Sequence, residues 1–178
     1  KVEYPARFML AASMNPCPCG YYGDAERQCR CTPHQISRYL ARVSSPLLDR
    51  IDLHLEVARP TYGELEKQTP EESSAQVKKR VDAARAVQRE RYRKQGIYAN
   101  SQLRGELLNQ YCSLQPGAQA LMESAFSVMQ LSARAYTRIL MVARTIADLA
   151  EAEQIEEAHL AEAIQYRTLD RKYWGGGA

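Results

Sequence analysis

Four of the five cysteines lie between Cys17 and Cys31, as Cys17-Pro-Cys19, nine intervening residues, and Cys29-Arg-Cys31. A hairpin-like loop brings two such close pairs together, and four thiolates suit tetrahedral zinc. A metal would also order a loop with little apolar content of its own. Zinc knuckles usually place two residues between paired cysteines rather than one, so buried free thiols or two disulfides stay open as alternatives, iron-sulfur ligation is a further one, and His34 is a possible substitute ligand. Cys112 sits among apolar helix residues and reads as buried.

Three polar side chains stand where they can meet phosphate. Asn15 closes an apolar run, and in open parallel sheets the carboxyl ends of strands commonly face ligands; it also fits as a cap of the turn before Pro16. Arg50 follows Leu47-Leu48-Asp49 at the start of a second strand-like run. An arginine at a subunit edge can stabilise charge on a phosphoryl group bound by a neighbour, although an ion pair with Asp49 or Asp52 is the plainer reading. Arg134 falls in the first turn of a helix capped by Ser132, the unfavourable end of the dipole for a cation unless an anion is shared. From Lys78 to Lys94 eight basic residues face two acids. Lys78, Lys79, Arg85 and Arg89 are candidate contacts to a DNA backbone, with a solvated helix face as the alternative. Tyr21, Tyr22, Arg27 and Arg30 give the cysteine loop a polar-aromatic surface.

No Gly-x-x-x-x-Gly-Lys-Ser/Thr pattern occurs, so the usual triphosphate cradle is missing. His34, His54 and His159 lie on separate elements and form no nucleophile set with a serine or cysteine.

The elements that must position these residues come in two kinds. Arg7 to Ser13 reads as a buried strand and Ile51 to Val57, with its apolar-polar alternation, as a half-buried one. Between them Thr32-Pro33 starts a helix running to about Val43, and Ser44 to Arg50 a short turn or helix. Residues 60–73 are polar and carry Pro60, Gly63 and Pro70, the signature of a linker. Helices are then predicted at 70–95, 100–112, 117–129, 132–150 and 156–172, the fourth with an apolar stripe of Ala135, Ile139, Val142, Ile146 and Leu149. Two strands are too few for a sheet, so their partners are expected upstream. The fold class is therefore α+β, mainly α.

A chain of 178 residues with 45% hydrophobic and 25% charged composition can bury a core, and its net charge of +3 gives no ground for a general affinity for polyanions, so any nucleic-acid surface must be local. No apolar run approaches the roughly 20 residues that span a bilayer, and an odd cysteine count without an export signal argues against a disulfide framework, so the reading is cytoplasmic with no membrane partner.

Phe8 to Gly20, Cys29 to Gln35, Ser45 to His54, Leu131 to Tyr136 and Val142 to Asp148 together closely resemble the magnesium chelatase-like AAA+ ATPases of the ComM/YifB type. The resemblance spans Arg7 to Arg171. It implies that residues 1–59 are the C-terminal part of an ATPase core with its Cys-rich loop at 17–31. Residues 60–73 would then be a linker, 74–172 a helical lid and 173–178 a flexible tail. It implies that Asn15 is the first sensor, Arg50 the arginine finger and Arg134 the second sensor. ATP and Mg2+ would be bound by upstream Walker motifs absent here, so the fragment alone is expected to be inactive. It further implies a homo-oligomeric, usually hexameric ring that remodels DNA, branch migration being the associated activity. A non-catalytic, zinc-stabilised module that binds DNA or a protein is the alternative.

Overall fold

The computed structural model describes residues 2, 8–66, 72–169 and 173–174. The chain divides into two compact units, Lys1–Ser44 and Ser45–Ala178. Eight α-helices are present among the described residues and no multi-residue strand. No helix among them is long and apolar enough to cross a membrane.

The first unit contains α1, Pro33–Leu40. It begins where the sequence says it should: the Thr32 hydroxyl accepts from the Gln35 N–H, and the Gln35 side chain returns the bond to the Thr32 N–H, with Pro33 at a position whose missing N–H costs nothing. The predicted buried strand is not found. Arg7 lies outside the described residues, and Phe8 to Met14 form no ladder among them, Met9 being 93% exposed. Apolar character supplies a strand's face, but its backbone groups need a neighbour, and none is present among the described residues.

The second unit opens with α2, Ser45–Leu48, and later α3, Tyr62–Glu66. Between them Ile51 to Val57, predicted as a half-buried strand, is irregular, with a bend at Asp52, and mostly exposed, from Leu53 at 47% to Val57 at 91%. One backbone bond, His54 N–H to the Tyr166 carbonyl at 3.0 Å, attaches it to the helical body. The alternation is real, but no sheet among the described residues supplies the surface it would cover.

That body consists of α4 (Ser74–Arg91), α5 (Gly105–Tyr111), α6 (Pro116–Met129), α7 (Ala133–Leu149) and α8 (Glu157–Gln165). Ser73 caps α4 through a capping box with Gln76, so this helix starts after the predicted Pro70, which lies outside the described residues. The predicted helix at 100–112 divides. Asn100–Gln102 is a 3-10 turn, Leu103 is extended and fully buried, and Gly105 resumes at φ +52°, a conformation that disfavours any residue with a Cβ. Helix α6 ends at Gln130 in the left-handed conformation, and α8 ends at Gln165 in a turn before Thr168 and Leu169 become helical again; the remainder of the predicted helix to Lys172 lies outside the described residues.

Helix α7 lies at the centre, packed against α4 and α8. Its predicted stripe holds only in part: Ala135 and Ile139 are buried, Val142 and Ile146 half-buried and Leu149 exposed, whereas Leu140, Met141, Ala143 and Ala147 are buried, because neighbours press on more than one face. Tyr92, Leu103, Met122, Ile155 and Leu160 complete the core, and Cys112 is buried within it as expected. Burying each Leu or Ile here contributes about 1.5–3 kcal/mol.

Candidate metal centre and exposed arginines

The cysteine loop turns at once. The Gly20 N–H donates to the Cys17 carbonyl at 3.0 Å, Gly20 and Gly23 take φ of +84° and +83°, and Asp24 Oδ1 accepts from the N–H groups of Glu26 and Arg27 at 2.8 Å each. These turns bring all four sulfurs within 4.8 Å of one another. Cys17 lies 3.4 Å from Cys19 and 3.7 Å from Cys29, and Cys19 lies 3.6 Å from Cys29. A tetrahedron with metal–sulfur bonds of about 2.3 Å has edges of about 3.8 Å, so the set fits zinc. The same separations are far beyond the roughly 2.05 Å of a disulfide, and the cysteines are free thiols. His34, on α1, is not part of the cluster.

Without a metal, Cys29 and Cys31 hold their protons more tightly than ordinary thiols and Cys19 less tightly. The backbone N–H groups of Arg30 and then Tyr21 hold Cys19 down to about 6. Burial pushes Cys31 up to about 12. At Cys29 the Cys31 N–H acts to lower the pKa, but burial and the neighbouring Cys19 and Cys17 thiols outweigh it and the net direction is up. Coordination by four thiolates therefore releases protons, and zinc affinity rises with pH. Protein purified without chelator is expected to carry one zinc per chain by elemental analysis. Cys17→Ser should lower that content severalfold, and a zinc content near zero in the unaltered protein would remove the assignment.

Asn15 is exposed where the segment from Phe8 enters this loop, beside Gly20. On the loop's surface, Arg27 donates to the Tyr21 hydroxyl at 2.8 Å and lies over the Tyr21 ring.

In the second unit the arginines divide into two groups. Arg138 pairs with Asp52 at 2.8 Å, Arg144 with Asp148 at 3.0 Å, and Arg167 lies 3.9 Å from Asp49. Arg50 and Arg134 have no carboxylate partner among the described residues, and both are exposed. The plainer sequence reading of Arg50, a pair with Asp49 or Asp52, is not what the structure shows. Both acids are engaged by α7 or by Arg167, and Arg50 instead donates to the Pro46 carbonyl at 2.6 Å.

The basic run on α4 is less available than its sequence suggests. Lys78 is tied to Asp82, Arg80 to Glu72, and Arg91 turns inward to Asp148. Lys79, Arg85 and Arg89 are exposed and have no partner among the described residues.

Sequence reasoning did not single out the buried polar cluster around Asp148, whose side chain is fully buried. Its carboxylate accepts from Arg91 at 3.0 and 2.5 Å, from Arg144 at 3.1 Å and from the Asn100 amide at 2.8 Å. Asn100 in turn accepts from the Tyr92 hydroxyl at 2.6 Å, and Arg144 donates onward to the Ala152 and Glu153 carbonyls. The i, i+4 spacing of Arg144 and Asp148 is a local signal for part of this cluster.

Residues 1–65 match the family described as magnesium chelatase, subunit ChlI, and residues 71–167 match magnesium chelatase, subunit ChlI C-terminal. The chain belongs to the magnesium chelatase ChlI family. The C-terminal ChlI match takes in α4 to α8 and ends at the buried Arg167. Among curated ChlI-like relatives, the uncharacterized proteins YifB of Salmonella typhimurium and Escherichia coli are each 46% identical over 96% of this chain. Competence protein ComM of Haemophilus influenzae is 44% identical over the same share. The chain spans 33% of the length of each.

Proposed function

We propose that this chain is the C-terminal portion of a ring-forming AAA+ ATPase of the ComM/YifB type, which couples ATP hydrolysis to DNA remodelling such as branch migration. The observation that carries the reading is the pair Arg50 and Arg134. Both are exposed and without a carboxylate among the described residues, as Arg59, Arg85, Arg89 and Arg104 also are, but only these two lie beside Asp49 and Ser132, where the neighbouring Arg138 and Arg167 are matched to acids. Unmatched guanidinium groups at a helix N-terminus and at a chain turn suit anionic ligands, phosphate above all.

In this reading residues 1–59 belong to the ATPase core and 74–172 form the lid. Asn15 orients the attacking water, Arg50 acts on the nucleotide of an adjacent subunit, and Arg134 senses nucleotide from the lid. ATP and Mg2+ are held by Walker motifs that these 178 residues do not contain. Zinc at Cys17, Cys19, Cys29 and Cys31 has a structural role, closing a loop with little other core. Lys79, Arg85 and Arg89, with Lys78 once released from Asp82, contact DNA phosphates.

Full-length protein is expected to hydrolyse ATP faster with DNA present, and residues 1–178 alone not at all. Arg85→Ala with Arg89→Ala should weaken DNA binding similarly across sequences and flatten its salt dependence by about 0.9 log unit for every phosphate that is no longer neutralised. Turnover by the isolated chain would refute the proposal. The cysteine cluster favours one second reading, a zinc-stabilised binding module without enzymatic role. Salt-dependent DNA binding by this chain, together with an inactive full-length protein, would select it.

A further inference from the structure

Arg50 belongs to a segment fastened on both sides of it. Asp49 Oδ2 accepts from the Ser132 hydroxyl at 2.9 Å. The same Ser132 oxygen accepts from the Ala135 N–H at 3.1 Å, so one hydroxyl both caps α7 and grips the acid that precedes Arg50. Farther along α7, Arg138 pairs with Asp52. From the end of α8, Arg167, only 1% exposed, donates to the Leu48 carbonyl at 3.3 Å and to the Ile51 carbonyl at 2.6 Å. The residues around Arg50 thus reach the helical body, while Arg50 bonds only to its own short helix among the described residues.

A four-residue helix such as α2 cannot hold its own geometry, because nucleation leaves so short an element marginal. The orientation of Arg50 must come from outside α2, and the Asp49–Ser132 bond supplies it at the adjacent residue. Ser132 is also two residues before Arg134. The Arg138–Asp52 pair is partly exposed and adds little stability by itself, so its value lies in orientation.

We infer that Asp49 is a positioning residue which, through Ser132 and with the Asp52–Arg138 pair, makes Arg50 and the first turn of α7 carrying Arg134 move as one rigid frame. This deepens the proposed function and rests on its assignment of both arginines to phosphate. A displacement of α7 is then transmitted to Arg50 without passing through the hydrophobic core.

The test uses full-length protein. Asp49→Ala should lower kcat for ATP by about 10- to 100-fold, the range expected from misplacing a group that must meet its ligand closely, with KM nearly unchanged. Tm should fall in both Asp49→Ala and Asp49→Asn, because the buried Arg167 loses the carboxylate 3.9 Å away, so rates are compared well below either melting point. Asp49→Asn keeps an acceptor for Ser132 and should recover most of the rate. Exchanging the partners, Asp52→Arg with Arg138→Asp, should restore what either change alone removes. An unchanged kcat in Asp49→Ala, an Asn variant as impaired as the Ala variant, or a rate loss that simply follows Tm would overturn the inference. Arg50→Ala separates the two levels: if it abolishes turnover and Asp49→Ala does not touch it, only the positioning role falls. If Arg50→Ala is also silent, the proposed function falls. A readout independent of activity is amide exchange. Asp49→Ala should accelerate exchange at least tenfold at both Arg50 and Ala135, and an Ala135 amide as protected as before would refute the shared frame.

Discussion

Arg50→Ala in the full-length protein should reduce ATP turnover by about 10³- to 10⁵-fold, the range an arginine supplied to a transferring phosphoryl group contributes. Nucleotide binding should be nearly unaffected, because in the proposed role the guanidinium would act on charge that develops only in the transition state. Stability should also be nearly unaffected. Arg50 is exposed and its one bond is to the Pro46 carbonyl, so its removal strands no buried charge and should change folding by no more than about 0.5 kcal/mol. Turnover, equilibrium nucleotide binding and thermal melting measured on one preparation separate these outcomes. If Arg50 acts across a subunit boundary, mixing Arg50→Ala subunits with subunits disabled in the phosphate loop should regenerate some turnover. Each kind of subunit then supplies what the other lacks. Loss of nucleotide binding, or a large drop in Tm, would return Arg50 to a structural role at the end of α2.

The largest effect on folding is expected at Asp148. Asp148→Ala leaves Arg91 and Arg144 facing each other without their shared carboxylate, their side chains 16% and 3% exposed. Breaking a buried pair from one side costs about 3–5 kcal/mol, because the remaining charge keeps its desolvation penalty and loses its compensation. Whole domains are stable by only about 5–15 kcal/mol, so this change should consume much of the margin. Asn100 would lose one acceptor as well, although Thr145 Oγ1 at 3.0 Å remains. Asp148→Asn retains hydrogen-bonding capacity without the charge and should fall between the two. Denaturant unfolding followed by helical circular dichroism measures the difference, and a loss below about 1 kcal/mol would mean that water or rearranged neighbours satisfy both arginines.

What could be read from the sequence follows the range of the interactions. Thr32-Pro33 with Gln35, and Ser132 ahead of α7, are signals contained within one turn of chain, and the helices begin there. The four cysteines could be read because residue type alone restricts their chemistry. The Asp148 cluster could not, since it joins residues 57 and 48 positions apart through side chains that look like ordinary surface residues in isolation. The same applies to Arg167, which resembles a solvated helix end until the carbonyls of Leu48 and Ile51 are placed beside it. The two strand expectations failed for another reason. Alternation at Ile51 to Val57 and the apolar run at Phe8 specify which side chains would be covered, and pairing depends on a neighbour that no pattern within the segment encodes. Helix α3 was hidden by composition, lying within a stretch whose prolines and glycine read as a linker, and the Tyr62 hydroxyl spans its one turn to Glu66 at 2.7 Å.

The apolar run from Phe8 has a practical consequence. Phe8, Met9 and Leu10 are 75%, 93% and 63% exposed on backbone that forms no ladder among the described residues, which leaves an open edge able to template a second chain. A net charge of +3 is too small to keep such edges apart at high concentration. Leu55 and Val57, 67% and 91% exposed, add to the same liability, and charged substitutions at Met9 and Val57 together should raise the concentration at which the purified polypeptide stays dispersed.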